Sequence, residues 1–192
     1  MPRLRRPLAM FAALLASGGL AACGKHPDEN ARVVRAETEG LYLTIGELKY
    51  QVQVSRQLNP HDAQDRSLLV GIPESERDLE ADEVWFGVFL RVQNETDEAL
   101  PPASDIKIVD TQEETFRPLR LEDTNLFAYR SRPFIPAGHI LPELDTPAYD
   151  TAAQGSLVLF KLTLTALGNR PLELEIESHT VPPQTGIIGL DV

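Results

Sequence analysis

The chain has 192 residues, 29 acidic against 18 basic, with a formal net charge of -11 and a pI near 4.8. That length suits one domain plus a leader, and 42% hydrophobic with 24% charged side chains is the balance of a chain that folds around a core. The acidic total argues against nucleic acid, whose phosphates need clustered Lys and Arg, and the single cysteine, Cys23, excludes an internal disulfide, a zinc ribbon and a CxxC pair.

Arg3, Arg5 and Arg6 give a basic opening, and Leu8 to Leu20 is an uncharged, mostly apolar run. A helix of that length reaches about 20 Å, short of a hydrocarbon core roughly 30 Å thick. The segment reads as an export signal covering residues 1–22, not as a membrane span. Leu20-Ala21-Ala22-Cys23 resembles the lipobox of bacterial lipoproteins. The resemblance implies lipidation of the Cys23 thiol, cleavage just before it, and attachment to the membrane through that lipid on the outer side of the cytoplasmic barrier. Two acyl chains are enough for stable anchoring. The 18 basic residues less those three arginines leave 15 against 29 acids, so the cleaved chain would carry a charge of -14. Such a domain is expected to stand off anionic headgroups.

Residues 23–39 are polar and lack sustained periodicity, so a flexible tether is expected there, spanning roughly 20–24 Å. A short helix around Ala31 to Ala36, capped by Asn30, is the one element this stretch could form. The folded domain is expected over residues 40–180, with 181–192 as a C-terminal extension. Leu41, Leu43 and Ile45 form a first extended run that breaks near Gly46. Leu48, Tyr50, Val52 and Val54 then alternate with polar residues, the pattern of a half-buried strand.

Val84 to Asn94 carries the strongest strand signal. Val84, Phe86, Val88, Leu90 and Val92 line one face, with Trp85, Phe89 and Arg91 on the other, so the strand is expected to be central. Strands are predicted at Ile106 to Val109 and Phe116 to Leu119, joined by a turn at Asp110 to Thr115. Leu157 to Leu164 is extended, with Val158, Phe160, Leu162 and Leu164 facing one way. Leu172, Leu174 and Ile176 alternate with Glu173, Glu175 and Glu177. Seven to nine short strands with turn clusters between them, and no 3.6-residue apolar stripe, predict an all-β antiparallel β-sandwich. Two connections, residues 59–82 and 120–154, exceed ordinary hairpin loops, a length that points to function or to small internal elements.

Trp85-x-x-Val88-x-Leu90-x-Val92-x-Asn94 resembles the central strand of bacterial extracellular immunoglobulin-like lipoprotein domains of unknown function. Asp110 before Phe116, Gly155-Ser156-Leu157-Val158-Leu159-Phe160 and Pro171-Leu172-Glu173-Leu174 resemble their later strands. The resemblance covers residues 41–177 and implies an immunoglobulin-like sandwich exposed in the cell envelope. It supplies no catalytic residues. Gln112-Glu113-Glu114 stand where such domains usually turn on a glycine.

Candidate chemistry is sparse. His61, Asp62 and Asp65 share one loop and are residue types that ligate divalent metals, but three fixed ligands are needed and no histidine cluster supports them. Glu74, Glu76, Asp78, Glu80 and Asp82 lack the spacing of a calcium loop. Gly155-Ser156 lacks the G-x-S-x-G elbow. No metal and no cofactor is expected, and a hydrolase ranks last. Trp85, Phe89 and Arg91 could form a recognition patch, although Trp85 and Phe89 fit better in the core or under the long loops. Phe127, Tyr129, Phe134 and Tyr149, in a proline-rich loop, are the better candidates for binding a partner protein. The expected role is a non-catalytic accessory or recognition module of the envelope, with an envelope protein as partner. The alternative is a lipoprotein that binds a small ligand or metal, through the His61 loop or a pocket under residues 126–150.

Overall fold

The alternation that marks residues 83–93 is the centre of the molecule. The computed structural model describes residues 32–191. The signal segment, the short-helix start at Ala31 and Cys23 lie outside the described residues. Ten strands follow in chain order: β1 (Val33–Ala36), β2 (Leu43–Ile45), β3 (Leu48–Leu58), β4 (Glu83–Gln93), β5 (Asp105–Val109), β6 (Thr115–Phe116), β7 (Ile140–Leu141), β8 (Ser156–Thr163), β9 (Leu172–Glu177) and β10 (Thr185–Leu190). They build two five-stranded sheets packed as a β-sandwich. One runs β1-β10-β9-β5-β6. The other runs β2-β3-β4, with β8 along most of the far edge of β4 and β7 along its last two residues.

The two faces of β4 serve two cores. Val84, Phe86, Val88, Leu90 and Val92 meet Ile106, Ile108, Leu172, Leu174, Ile176, Ile188 and Leu190 of the facing sheet. On the opposite face Trp85 and Phe89 join Leu58, Leu68, Ile72, Leu121, Leu157 and Leu159. This second core is roofed by the long connections, so the 59–82 and 120–154 segments form a third layer. Trp85 and Phe89 are therefore buried under the loops rather than displayed. Burying side chains of this size contributes about 1.5–3 kcal/mol each, which explains why both long connections fold down onto the sheet.

The first connection contains a short helix, α1 (Ala63–Leu68), and a 3-10 turn at Glu74–Glu76. The second contains β7 and α2 (Pro147–Asp150). A third helix, α3 (Leu164–Gly168), follows β8 directly.

Several boundaries differ from the sequence expectation. Residues 33–36 are not helix or tether but strand β1, paired in parallel with β10 from Val33–Thr185 to Ala36–Ile188. Residues 185–190, expected as an extension, form β10 between β1 and β9. The sandwich thus reaches beyond residues 40–180 at both ends. Its closure includes Thr38, whose hydroxyl donates to Asp191 at 2.7 Å, and Glu39, whose carboxylate accepts the Ser55 amide at 3.0 Å and the Asp191 amide at 3.1 Å.

In β3 the alternation breaks at Gln53, an extra residue between the Val52–Leu90 and Val54–Phe89 pairs. A bulge of one residue exchanges the faces of everything after it. Val54 therefore packs on the second core, not beside Val52 on the first. β6 stops at Phe116, because Pro118 has no N–H for a ladder. β8 stops at Thr163, whose hydroxyl accepts the Ala166 amide at 3.1 Å and caps α3, leaving Leu164 exposed.

The turn after β5 works without its glycine. Asp110 Oδ1 accepts the amides of Gln112 at 2.8 Å and Glu114 at 2.9 Å, and Asp110 Oδ2 accepts Asn169 Nδ2 at 2.9 Å. Glu113 takes the left-handed position with φ 64°. The Asn169 bond, with the two amides, holds the Asp110 carboxyl below the ordinary carboxylate range against the effect of burial.

Candidate functional site

The second long connection is hydrogen-bonded where it touches the sheet and exposed where it does not. Asn125 is buried and fixes its start: Nδ2 donates to the carbonyls of Leu68 at 2.8 Å and Val70 at 2.7 Å, while Oδ1 accepts the Phe127 amide at 2.8 Å. Arg130 donates to the carbonyls of Leu121 at 2.7 Å and Glu122 at 2.6 Å. The Glu122 amide in turn donates to Gly71 at 2.7 Å, so the two long connections hold each other. Backbone bonds tie the segment to β8 on both sides of Leu157: its amide donates to Phe127 and its carbonyl accepts from Tyr129, each at 2.7 Å.

Further along, Asn94 at the end of β4 is fully buried and works as a clamp. Its Nδ2 donates to the carbonyls of Glu98 at 2.7 Å, Ile135 at 2.9 Å and Pro136 at 3.2 Å. Its Oδ1 accepts the Thr96 amide at 3.0 Å and hydroxyl at 2.7 Å. Leu100 and Ile135 exchange backbone bonds at 3.0 and 2.8 Å. Phe134 thus immediately precedes a backbone held by both Asn94 and Leu100.

The four aromatic residues expected to bind a partner separate into different roles. Phe127 packs against the second core. Tyr129 turns its hydroxyl inward, donating to Ala103 at 2.7 Å. Tyr149 is half-buried with its ring 5.6 Å from the Arg91 guanidinium. Phe134 alone of the four stands in solvent, 59% exposed. Leu126 at 66% and Leu144 at 61% are also exposed. Leu126 and Phe134 line a shallow cavity of about 170 Å³ together with Pro133, Ile135, Leu141 and Pro142. Neither leucine carries a sequence signal, since each is a single aliphatic residue in an aperiodic stretch.

A second, larger groove of about 620 Å³ adjoins this cavity at Ala128, Arg130 and Arg132. It opens at the mouth of the sandwich between β5 and β8, and Arg120 completes its basic wall. Tyr129, Ile106 and Val158 supply apolar surface.

Tyr129 also belongs to a buried pair with Tyr50. The Ala103 amide donates to the Tyr50 hydroxyl at 2.7 Å while the Ala103 carbonyl accepts from Tyr129. Burial pushes the Tyr50 phenol up to about 12, against the lowering effect of the Ala103 and Tyr129 hydrogen bonds. Burial, and then the neighbouring Tyr50, raise Tyr129 well above the ordinary phenol value. Unfolded, the Tyr50 phenol ionises near its ordinary value of 10.0. Its contribution is intact below that pH and is lost as pH rises towards 12. The displacement is worth about 2–3 kcal/mol. Thermal stability should fall steeply between pH 10 and 12, and Tyr50→Phe should make that limb shallower while costing about 1 kcal/mol at neutral pH. Melting curves of the two proteins that run parallel above pH 10 would contradict this assignment.

The residues weighed as metal ligands have structural partners. Asp62 caps α1 by accepting the amides of Gln64 and Asp65 at 2.8 and 3.1 Å. Asp65 is buried, takes two bonds from Arg56 at 3.1 and 2.5 Å and accepts the Asn59 amide at 2.8 Å. The Arg56 bonds hold its carboxyl below the ordinary carboxylate range. No group of three or more His, Cys, Asp and Glu is placed to share a metal ion among the described residues. In the acidic run, Glu76 lies 3.5 Å from Lys161, whose ammonium donates to the Asp78 carbonyl and sits over the Trp85 ring. Ser156 is buried at the start of β8.

Neither a family model nor a curated protein matches the chain. Among solved structures it is similar to an uncharacterized beta-sandwich protein from Clostridium difficile 630, at 10% identity and TM-score 0.47, over 87% of this chain and 100% of that one. It is also similar to the yjhA protein from Bacillus subtilis, at 9% identity and TM-score 0.47, over 81% of this chain and 100% of that one. A functionally unknown protein from Listeria monocytogenes EGD-e matches at 8% identity and TM-score 0.48, over 81% of this chain and 83% of that one.

Proposed function

We propose that the protein is a lipid-anchored envelope module that recognises a partner protein without catalysing a reaction, through the face built on residues 126–144. The observation that carries the reading is the exposure of Leu126, Phe134 and Leu144 on a segment clamped from beneath by Asn94 and Asn125. Exposed large apolar groups on a preorganised backbone lose little entropy on docking, the usual economy of a recognition surface. The shifted titratable groups favour a non-catalytic role, since Tyr50, Tyr129, Asp65 and Asp110 are each engaged in a bond that holds the fold.

Support for the anchor is the Leu20-Ala21-Ala22-Cys23 sequence behind the basic and apolar segments. The immunoglobulin-like reading is supported by the chain crossing repeatedly between the two sheets, after β1, β4, β6 and β8.

The test compares quantitative mass spectrometry of proteins that co-purify with the native chain and with a Leu126→Ser/Phe134→Ser variant, in cells that also express Cys23→Ala. One envelope protein should fall at least about tenfold in the double variant, and Cys23→Ala should move the protein from the membrane to the soluble fraction. Identical co-purification profiles would overturn the recognition face. Cys23→Ala protein that remains on the membrane would overturn the anchor.

A further inference from the structure

The groove beside the apolar face has the opposite charge to the rest of the domain. From Cys23 onward the chain carries 29 acidic residues against 15 basic ones, the 18 of the whole chain less Arg3, Arg5 and Arg6. Several of the described cations pair with a carboxylate away from the groove: Arg35 with Glu173, Lys49 with Glu95, Arg56 with Asp65, Lys107 with Glu175 and Arg117 with Asp105. Arg120 and Arg132 are exposed and make no ion pair or hydrogen bond among the described residues. Both line the same groove. Arg130, held in place by the carbonyls of Leu121 and Glu122, stands with them, and its neighbour Asp123 is 3.7 Å away on a fully solvated side chain. Three guanidinium groups gathered in one groove of a strongly acidic protein form a local positive field where the protein elsewhere repels anions.

Arg130 and Arg132 also line the cavity that holds Leu126 and Phe134. A basic groove and an apolar cavity therefore form one continuous surface. We propose, resting on the recognition reading above, that this composite surface binds an acidic peptide segment of the partner, with an aromatic or aliphatic side chain in the Phe134 cavity and adjacent carboxylates on Arg120 and Arg132.

Shape and charge favour a peptide over the other anions. The groove is half open to solvent, whereas a small molecule needs an enclosed pocket that covers most of its surface. A bilayer of anionic lipid would meet the net negative charge of the whole domain, while a single acidic segment meets only the arginines. Guanidinium groups pair with carboxylates through two parallel hydrogen bonds, which gives the contact direction as well as strength.

The experiment pans a random-peptide display library on the full-length chain and measures the selected peptides by fluorescence anisotropy. Enriched peptides should carry an aromatic or aliphatic residue next to Asp or Glu. Their binding should weaken with added salt and fall at least about tenfold in Arg120→Glu/Arg132→Glu, with Arg120→Gln/Arg132→Gln intermediate. Unchanged melting temperatures of these variants would show that the fold is intact. Peptides without acidic bias, lost in Leu126→Ser/Phe134→Ser but untouched by charge reversal, would overturn the acidic-segment proposal and leave the recognition face standing. Peptide binding unaffected by either pair of substitutions would overturn both. Vesicles of phosphatidylglycerol and phosphatidylcholine in equal parts should not bind the chain through this face. Vesicle binding lost in the charge-reversed variant would replace the peptide by a lipid surface.

Discussion

A chain ending at Thr180 is expected not to fold. The twelve residues it lacks look dispensable by composition, with two prolines, two glycines and no charge before Asp191. In the fold they supply β10, which pairs with β9 over six residues and with β1 over four. Ile187, Ile188 and Leu190 are buried there. At about 1.5–3 kcal/mol each, those three side chains contribute roughly 5–9 kcal/mol. That is comparable with the whole stability of a domain, about 5–15 kcal/mol. Among the described residues, loss of β10 also strips β1 of its one partner strand and exposes the β9 edge for pairing with other chains. Circular dichroism on heating would check it: the shortened protein should show no cooperative transition. A sharp melt within a few degrees of the full chain would show that β10 is peripheral.

Asn94→Ala is expected to destabilise the domain by about 3–5 kcal/mol, since several hydrogen bonds disappear and buried carbonyls lose their donor. For a domain of this size that lowers the melting temperature by about 10 °C. Asn94→Asp is the informative companion. It keeps the volume and the acceptor for Thr96 but turns a donor to the Glu98 and Ile135 carbonyls into a negative oxygen facing them. It should be no more stable than Asn94→Ala at neutral pH. Because Ile135 follows Phe134, both substitutions should also weaken partner capture at temperatures where the protein remains folded. An Asn94→Ala protein as stable as the native chain would show that the loop is held elsewhere.

Strands that bury one or both faces over five or more residues were legible in the sequence. β4 shows its centrality through Trp85 and Phe89 on the face opposite Phe86 and Val88, and β9 shows its single buried face through Leu172, Leu174 and Ile176. β1 and β10 were not legible, for a specific reason. β1 has four residues and too short an alternation to stand out. β10 carries Gly186 and Gly189, which read as a loop. A Cβ on Gly186 would lie 2.1 Å from Ile45 Cδ1, and one on Gly189 would lie 2.5 Å from the Glu37 carbonyl. Glycine is what allows β10 to approach β2 and the end of β1, so the residues that weaken its strand signal are those its packing requires. The bulge at Gln53 was hidden because Val54 continues the same alternation past it.

The candidate site divides in the same way. Proline and aromatic content drew attention to residues 126–150, and Phe134 does stand exposed there. Composition could not tell Phe134 from Phe127 and Tyr129, because the difference lies in contacts with β8, Ala103 and the second core rather than in the residues themselves. The arginines were legible only one at a time. Arg120, Arg130 and Arg132 are dispersed over thirteen positions and come together because Arg130 is bonded back to Leu121 and Glu122. That Arg120 and Arg132 have no acidic partner among the described residues is a property of the fold alone.

The most direct measurement is site-specific photo-cross-linking in living cells, with the reactive group placed at Phe134 and, in a parallel strain, at Leu164. Both side chains are exposed and apolar, but Leu164 opens α3 and lines neither the cavity nor the basic groove. The recognition reading predicts one dominant cross-linked envelope protein from position 134, lost when Leu126 becomes Ser and absent from position 164. Equal products from both positions, or none from position 134, would contradict it.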